Sequence, residues 1–138
     1  MANYLGYARS NYFCVRDEAA FLNWVETLPG VIARREDGNP ERFALLVEDG
    51  DNGGWHGWRY DEREDDEEEI DLRAEITGHL DEGEVAVLEE VGAEKLRYLV
   101  GYAVAVNHRG EKLTVSLDDI YERVRAAGWD PDVSTATY

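Results

Sequence analysis

Carboxylates are the residues of this chain dense enough to do chemistry. Between Asp61 and Glu90 the sequence reads DEREDDEEEIDLRAEITGHLDEGEVAVLEE, with fifteen Asp or Glu against two Arg. The flanks are nearly balanced, with nine acids and six bases in residues 1–60 and seven and six in residues 91–138. Most of the formal charge of −17 therefore falls in under a quarter of the chain. Such crowding opposes compaction through self-repulsion, and each like-charged i,i+4 pair on a helix costs roughly 0.2–0.5 kcal/mol. A penalty accepted in one place points to a basic partner met there.

A helical period over Glu64 to Leu80 sets Leu72, Ile76 and Leu80 in one apolar stripe. Glu64, Glu68, Asp71, Glu75 and Glu82 then form a ridge beside it, about 16 Å long from Glu64 to Glu75 at roughly 1.5 Å per residue. A row of carboxylates on a rigid rod is a coarse copy of the phosphates of one nucleic-acid strand. The plain alternative is a solvated helix face. Directly before the acidic run, the glycine-rich EDGDNGGWHG and the short strand WRYDE carry Trp55, Trp58 and Tyr60. Trp and Tyr are enriched in interface hot spots; the alternative role for Trp55 or Trp58 is to close one end of the core.

Other chemistries find little support. The run DGDNGG at Asp49–Gly54 has acids at the first and third positions of a calcium loop, but Gly53 stands at the fifth and Tyr60 at the twelfth, where a bidentate Glu is needed. His56, His79 and His108 lack metal-ligand spacing, and His79 reads as a helix-surface residue near a C-terminal end, where positive charge is favoured. Cys14 is the only cysteine, set in an apolar strand pattern that makes it inert packing. No glycine-rich phosphate loop is present. Carboxylates that act as acid and base need distinct environments rather than abundance, so no enzyme activity, cofactor or resident metal is expected.

The elements that must position the acids follow from periodicity. Tyr4–Val15 reads as a first strand, broken near Gly6. Asp17 is the N-cap of a helix with Phe21, Trp24, Val25 and Leu28 at core spacing, ended by Pro29-Gly30. Val31–Arg35 and Arg42–Glu48 form a hairpin. After the acidic segment, ended by Gly83, Val85–Val91 and Leu96–Asn107 pair across a turn as the centre of the fold. In the second of these Leu96, Tyr98, Val100, Tyr102, Val104 and Val106 share one face and Leu99, Gly101, Ala103 and Ala105 line the other. Large side chains on one face and mostly small ones on the other predict a helix packed over the small face. Lys112–Val115 is a further strand. Ser116 to Asp119 opens a helix carrying Leu117, Ile120, Tyr121 and Val124 at core spacing and stopping at Gly128. The fold class is α+β: a mostly antiparallel sheet of about five or six strands with three helices. Residues 1–128 read as one domain and 129–138 as an irregular tail.

A chain of 138 residues is long enough to bury a core. It contains no apolar run near the ~20 residues that span a bilayer and no signal-peptide pattern, so a cytoplasmic protein is expected. A pI near 4.4 argues against direct binding of nucleic acid or an anionic membrane. Salt adaptation would spread acids over the whole surface; here they cluster.

A small α+β domain with a localised acidic face and no catalytic motif resembles the acidic, DNA-mimicking anti-defence proteins of phages and mobile elements, the anti-restriction and anti-CRISPR inhibitors. The resemblance rests on DEREDDEEEID and the ridge after it, about a quarter of the chain. It implies occupation of a basic DNA- or RNA-binding groove on a defence nuclease or CRISPR-type complex. Glu64, Asp65, Glu67, Glu68, Asp71 and Glu75 would supply the charge, with Trp55 and Trp58 as a desolvated anchor. Alternatives are an immunity protein or antitoxin that neutralises a basic toxin nuclease, and a metal-responsive acidic module. The oligomeric state is not readable.

Overall fold

In the sequence of β8 (Tyr98–Asn107) the alternation of large and small side chains already marks a strand with two unlike faces, and its pairing builds the molecule. The computed structural model describes residues 4–48, 54–61, 65–94, 97–129 and 133–136. β8 pairs antiparallel with β7 (Val85–Glu94) through ten registered positions, from Val85 opposite Asn107 to Glu94 opposite Tyr98. On one side β9 (Lys112–Ser116) adds to β8; on the other β1 (Tyr4–Ser10) adds to β7. β4 (Asn39–Val47) then pairs with β1, with β2 (Phe13–Cys14) and, along its second edge, with β3 (Val31–Glu36). The result is a seven-stranded, wholly antiparallel sheet. β5 (Trp58–Asp61) and β6 (Asp66–Glu69) form a separate two-stranded hairpin.

Three helices complete the described fold: α1 (Glu18–Glu26), α2 (Leu72–Thr77) and α3 (Asp119–Ala126). The α+β class expected from the sequence is the one observed. Asp17 caps α1 by accepting from the Ala20 N–H, as predicted. Phe21 and Val25 of α1 and Ile76 of α2 are buried against Phe13, Phe43, Leu45, Leu80, Ala86 and Leu88. Phe21 sits at the centre, its ring 5.8 Å from Phe13 and 5.2 Å from Phe43. Burying each such ring contributes up to about 3 kcal/mol. The first strand breaks at Asn11–Tyr12 rather than near Gly6, where the Ser10 hydroxyl accepts from the Leu45 N–H.

Four expectations are corrected. Glu64–Leu80 is not one helix. Asp66–Glu69 is a strand, and α2 holds only Leu72–Thr77. A helix would stack successive acids at i,i+3 and i,i+4, whereas a strand sends neighbours to opposite faces and sets Glu68 opposite Arg59. No described helix packs over the small face of β8: α1 and α2 cover the side of the large residues, and at Gly101 it is the Leu117 side chain that packs closely. α3 buries none of its residues, and Ile120 is exposed. His79 is not a charged surface residue; its ring stacks on Trp24 at 4.8 Å and meets the edge of Phe21. Desolvation lowers its pKa against the pull of Glu75 and Asp17.

Candidate functional site

The acidic stretch divides by what each carboxylate touches. Glu75 faces inward from α2. It accepts from Arg59 at 2.6 Å, from the Trp24 indole N–H at 2.9 Å and from the backbone N–H of Asp71 at 3.2 Å. Burial pushes its pKa up, but the bonds from Arg59 and Trp24 outweigh that and hold it below the usual glutamate value. Glu68 takes the other side of the same guanidinium at 3.0 Å, and these two acceptors raise the pKa of Arg59 further. Asp71 is the N-cap of α2, accepting from the Ala74 N–H at 3.2 Å. Glu68, Asp71 and Glu75 therefore serve the fold, and no helical ridge of outward acids joins them. Glu64 lies outside the described residues.

The hairpin keeps its remaining charge outward. Asp65, Asp66, Glu67 and Glu69 are all exposed. Asp65 adopts a left-handed backbone at φ 51°, a conformation that Asp tolerates better than most residues. Among the described residues of the hairpin, Arg59 is the single cation. Glu67 and Glu69 stand on one face of β6, about 6.6 Å apart at roughly 3.3 Å per residue.

Two clefts open beside this row and share Trp55, His56 and Gly57. One, of about 470 Å³, is lined by Glu67, Tyr4 and Glu90. The other, of about 440 Å³, has Glu69, Asp71 and Arg73 with Ile70, Leu88 and Tyr102. Trp55 packs partly buried against the core, so it closes one end of the core and also walls both clefts. Trp58 lies in β5 opposite Glu69.

Sequence reading missed Glu90. Only 9 % exposed, its carboxylate accepts from the Tyr4 hydroxyl at 2.6 Å, the Trp55 backbone N–H at 2.9 Å and the Tyr102 hydroxyl at 3.1 Å. Burial and the adjacent carboxylate push Tyr102 up to about 12 and raise Tyr4 as well. A Cβ on Gly54 would stand 2.8 Å from this carboxylate, so only glycine lets the chain pass so close. Glu90 thus fastens the Gly54–Gly57 segment to the main sheet. The available signal was an acid sharing a sheet face with Tyr4 and Tyr102.

Cys14 is half-buried, and its pKa is raised by desolvation and by Glu84, which disfavours the reactive thiolate. No group of three or more metal-ligating side chains occurs among the described residues. No described helix is long and apolar enough to cross a membrane. No protein-family model, curated protein or solved structure matches the chain.

Proposed function

We propose that this chain is a non-enzymatic acidic inhibitor. It imitates nucleic-acid phosphates and occupies the basic DNA- or RNA-binding groove of a defence nuclease or CRISPR-type complex. The observation that carries the reading is the pair of exposed carboxylates, Glu67 and Glu69, each rimming a cleft walled by Trp55. Arg or Lys side chains that evolved to neutralise phosphates fit such a surface. The carboxylates attract the charge, and the indole and Tyr102 ring offer faces for cation–π contact, worth roughly 0.5–2 kcal/mol. Electrostatic steering would speed encounter and weaken with salt.

In this reading the contact charge comes from Asp65, Asp66, Glu67 and Glu69 on a strand, with Glu68 and Glu75 holding the hairpin in place. Trp55 is the anchor. An immunity protein or antitoxin facing a toxin nuclease would use the same surface, and the captured partner distinguishes the two.

The test is affinity capture from nuclease-treated host lysate at low and then high salt, with wild type and with the D65N/D66N/E67Q/E69Q variant. Wild type should retain a basic nucleic-acid-binding protein at low salt and release it at high salt. The variant should lose it. Equal capture by both proteins would reduce the row to a solvating surface.

A further inference from the structure

One face of the main sheet is covered by α1, α2 and the Trp55 segment; across β1, β7, β8 and β9 the other is open apart from the Leu117 side chain, which packs over Gly101. Registered pairing places Leu5, Tyr7 and Arg9 of β1 on the open face with Glu89 and Val91 of β7, Leu99 of β8 and Val115 of β9. Tyr7 and Leu113 are 77 % exposed, and Leu5, Val91, Leu99 and Val115 between 57 and 63 %. Along β1, β7, β8 and β9 the outward residues of this face are uncharged except for Arg9 and Glu89, which stand opposite each other. A chain with a formal charge of −17 thus keeps the outward face of these four neighbouring strands apolar and free of net charge. Contiguous apolar surface beyond a few hundred Å² marks an interaction site.

We propose that this face binds a second copy of the same chain in a sheet-on-sheet dimer. Three observations select that occupant. The first is area: at about 4.8 Å per strand and roughly eight residues of about 3.3 Å, these four strands cover roughly 500 Å². β4 and β3, with Arg34 on the same face, extend this to roughly 760 Å², close to the ~800 Å² per partner of a standard interface.

The second is charge complementarity. In the order β3, β4, β1, β7, β8, β9 the β1–β7 boundary is the middle of the sheet, and Arg9 and Glu89 flank that boundary. A two-fold axis lying between two such sheets and along the boundary sets β1 over β7 of the second copy. Arg9 then meets Glu89 of the second copy, Glu89 meets its Arg9, and Tyr7 lies over its Val91. The face is self-complementary, as an isologous dimer requires.

The third is repulsion. The acidic hairpin sits on the covered side of the sheet, where Glu67 and Glu69 line clefts with Tyr4, Glu90 and Tyr102. Packing open face to open face, with layers about 10 Å apart, leaves the two hairpins on opposite outer sides. They are then separated by far more than the ~8 Å over which charges act in physiological salt. Both acidic rows stay open in the dimer.

The test is sedimentation equilibrium of the full chain over a wide concentration range. Wild type should dimerise. Arg9→Glu and Glu89→Arg should each weaken the dimer about a hundredfold or more, because each creates a like-charged centre on both copies. Mixing the two variants should restore a heterodimer, since one face is then doubly acidic and the other doubly basic. Both positions are exposed, so circular dichroism spectra, and melting curves taken at concentrations where every protein is monomeric, should match wild type. A wild type that stays monomeric throughout overturns the proposal. So does a dimer indifferent to both substitutions, or a mixture that fails to recover association.

Discussion

Glu75 and Glu67 come from the same acidic stretch and lead opposite lives. Glu75 is held by Arg59, by the Trp24 indole and by the Asp71 backbone, and it joins α2 to α1 and to the hairpin. Glu67 is exposed at the rim of a cleft. They stand eight positions apart in sequence, yet one is part of the scaffold and the other faces solvent. Local acid density therefore measures neither role. What distinguishes the two is whether a cation distant in sequence has been folded against the carboxylate.

That contrast is best broken from the scaffold side. Glu75→Ala leaves Arg59, whose side chain is only 16 % exposed, with Glu68 and the more distant Thr27 hydroxyl, and removes the acceptor of the Trp24 N–H. Urea unfolding should show a loss of about 2–3 kcal/mol, the penalty for unsatisfied buried donors. Glu90→Ala removes the acceptor of two tyrosines and of the Trp55 N–H, and should cost about 2 kcal/mol. Its hydrogen exchange should rise at residues 54–57 before it rises in β7.

Acid should separate the two classes next. Glu75 has a lowered folded pKa, so its contribution is complete above the unfolded glutamate value of about 4.3 and is lost as pH falls through the folded value. His79, also lowered, adds stability above its unfolded value of about 6.5 that is lost on acidification. Melting temperature should therefore drop from neutral pH towards pH 4, and the Glu75→Gln variant should show a shallower fall below pH 5. Smallest of all is the effect of Glu67→Gln with Glu69→Gln. Stability should stay within about 0.5 kcal/mol of wild type or rise slightly, because exposed like charges are being removed. A loss above 1 kcal/mol there would erase the distinction between scaffold and contact acids.

Where the sequence was legible, a local pattern and its chemistry agreed. Asp17 followed by Phe21, Trp24, Val25 and Leu28 described α1 and its cap, and Val85–Asn107 described the central pair. The acidic stretch misled because six consecutive acids, Glu64 to Glu69, carry no period. The hydrophobic stripe Leu72–Ile76–Leu80 fitted a helix longer than the one that forms. What interrupts it is Asp71, which caps α2, and Arg59, whose pairing across the hairpin no local window reveals. Small residues on β8 correctly marked a face of its own. Residue size does not say whether anything lies on that face, and here nothing but Leu117 lies close over Gly101. The Trp24–His79 stack and the Glu90 cluster join positions far apart in the chain, beyond the reach of spacing arguments.

The β5–β6 hairpin shares no ladder with the seven-stranded sheet. Its described attachments are few: the Ile70 N–H to the Gly57 carbonyl closes its base, while the Arg59 guanidinium and the Trp55 N–H tie it to Glu75 and Glu90. Such a unit opens at a lower free energy than the sheet behind it. The outward acids are thus carried on a unit that can open while the seven strands keep their register.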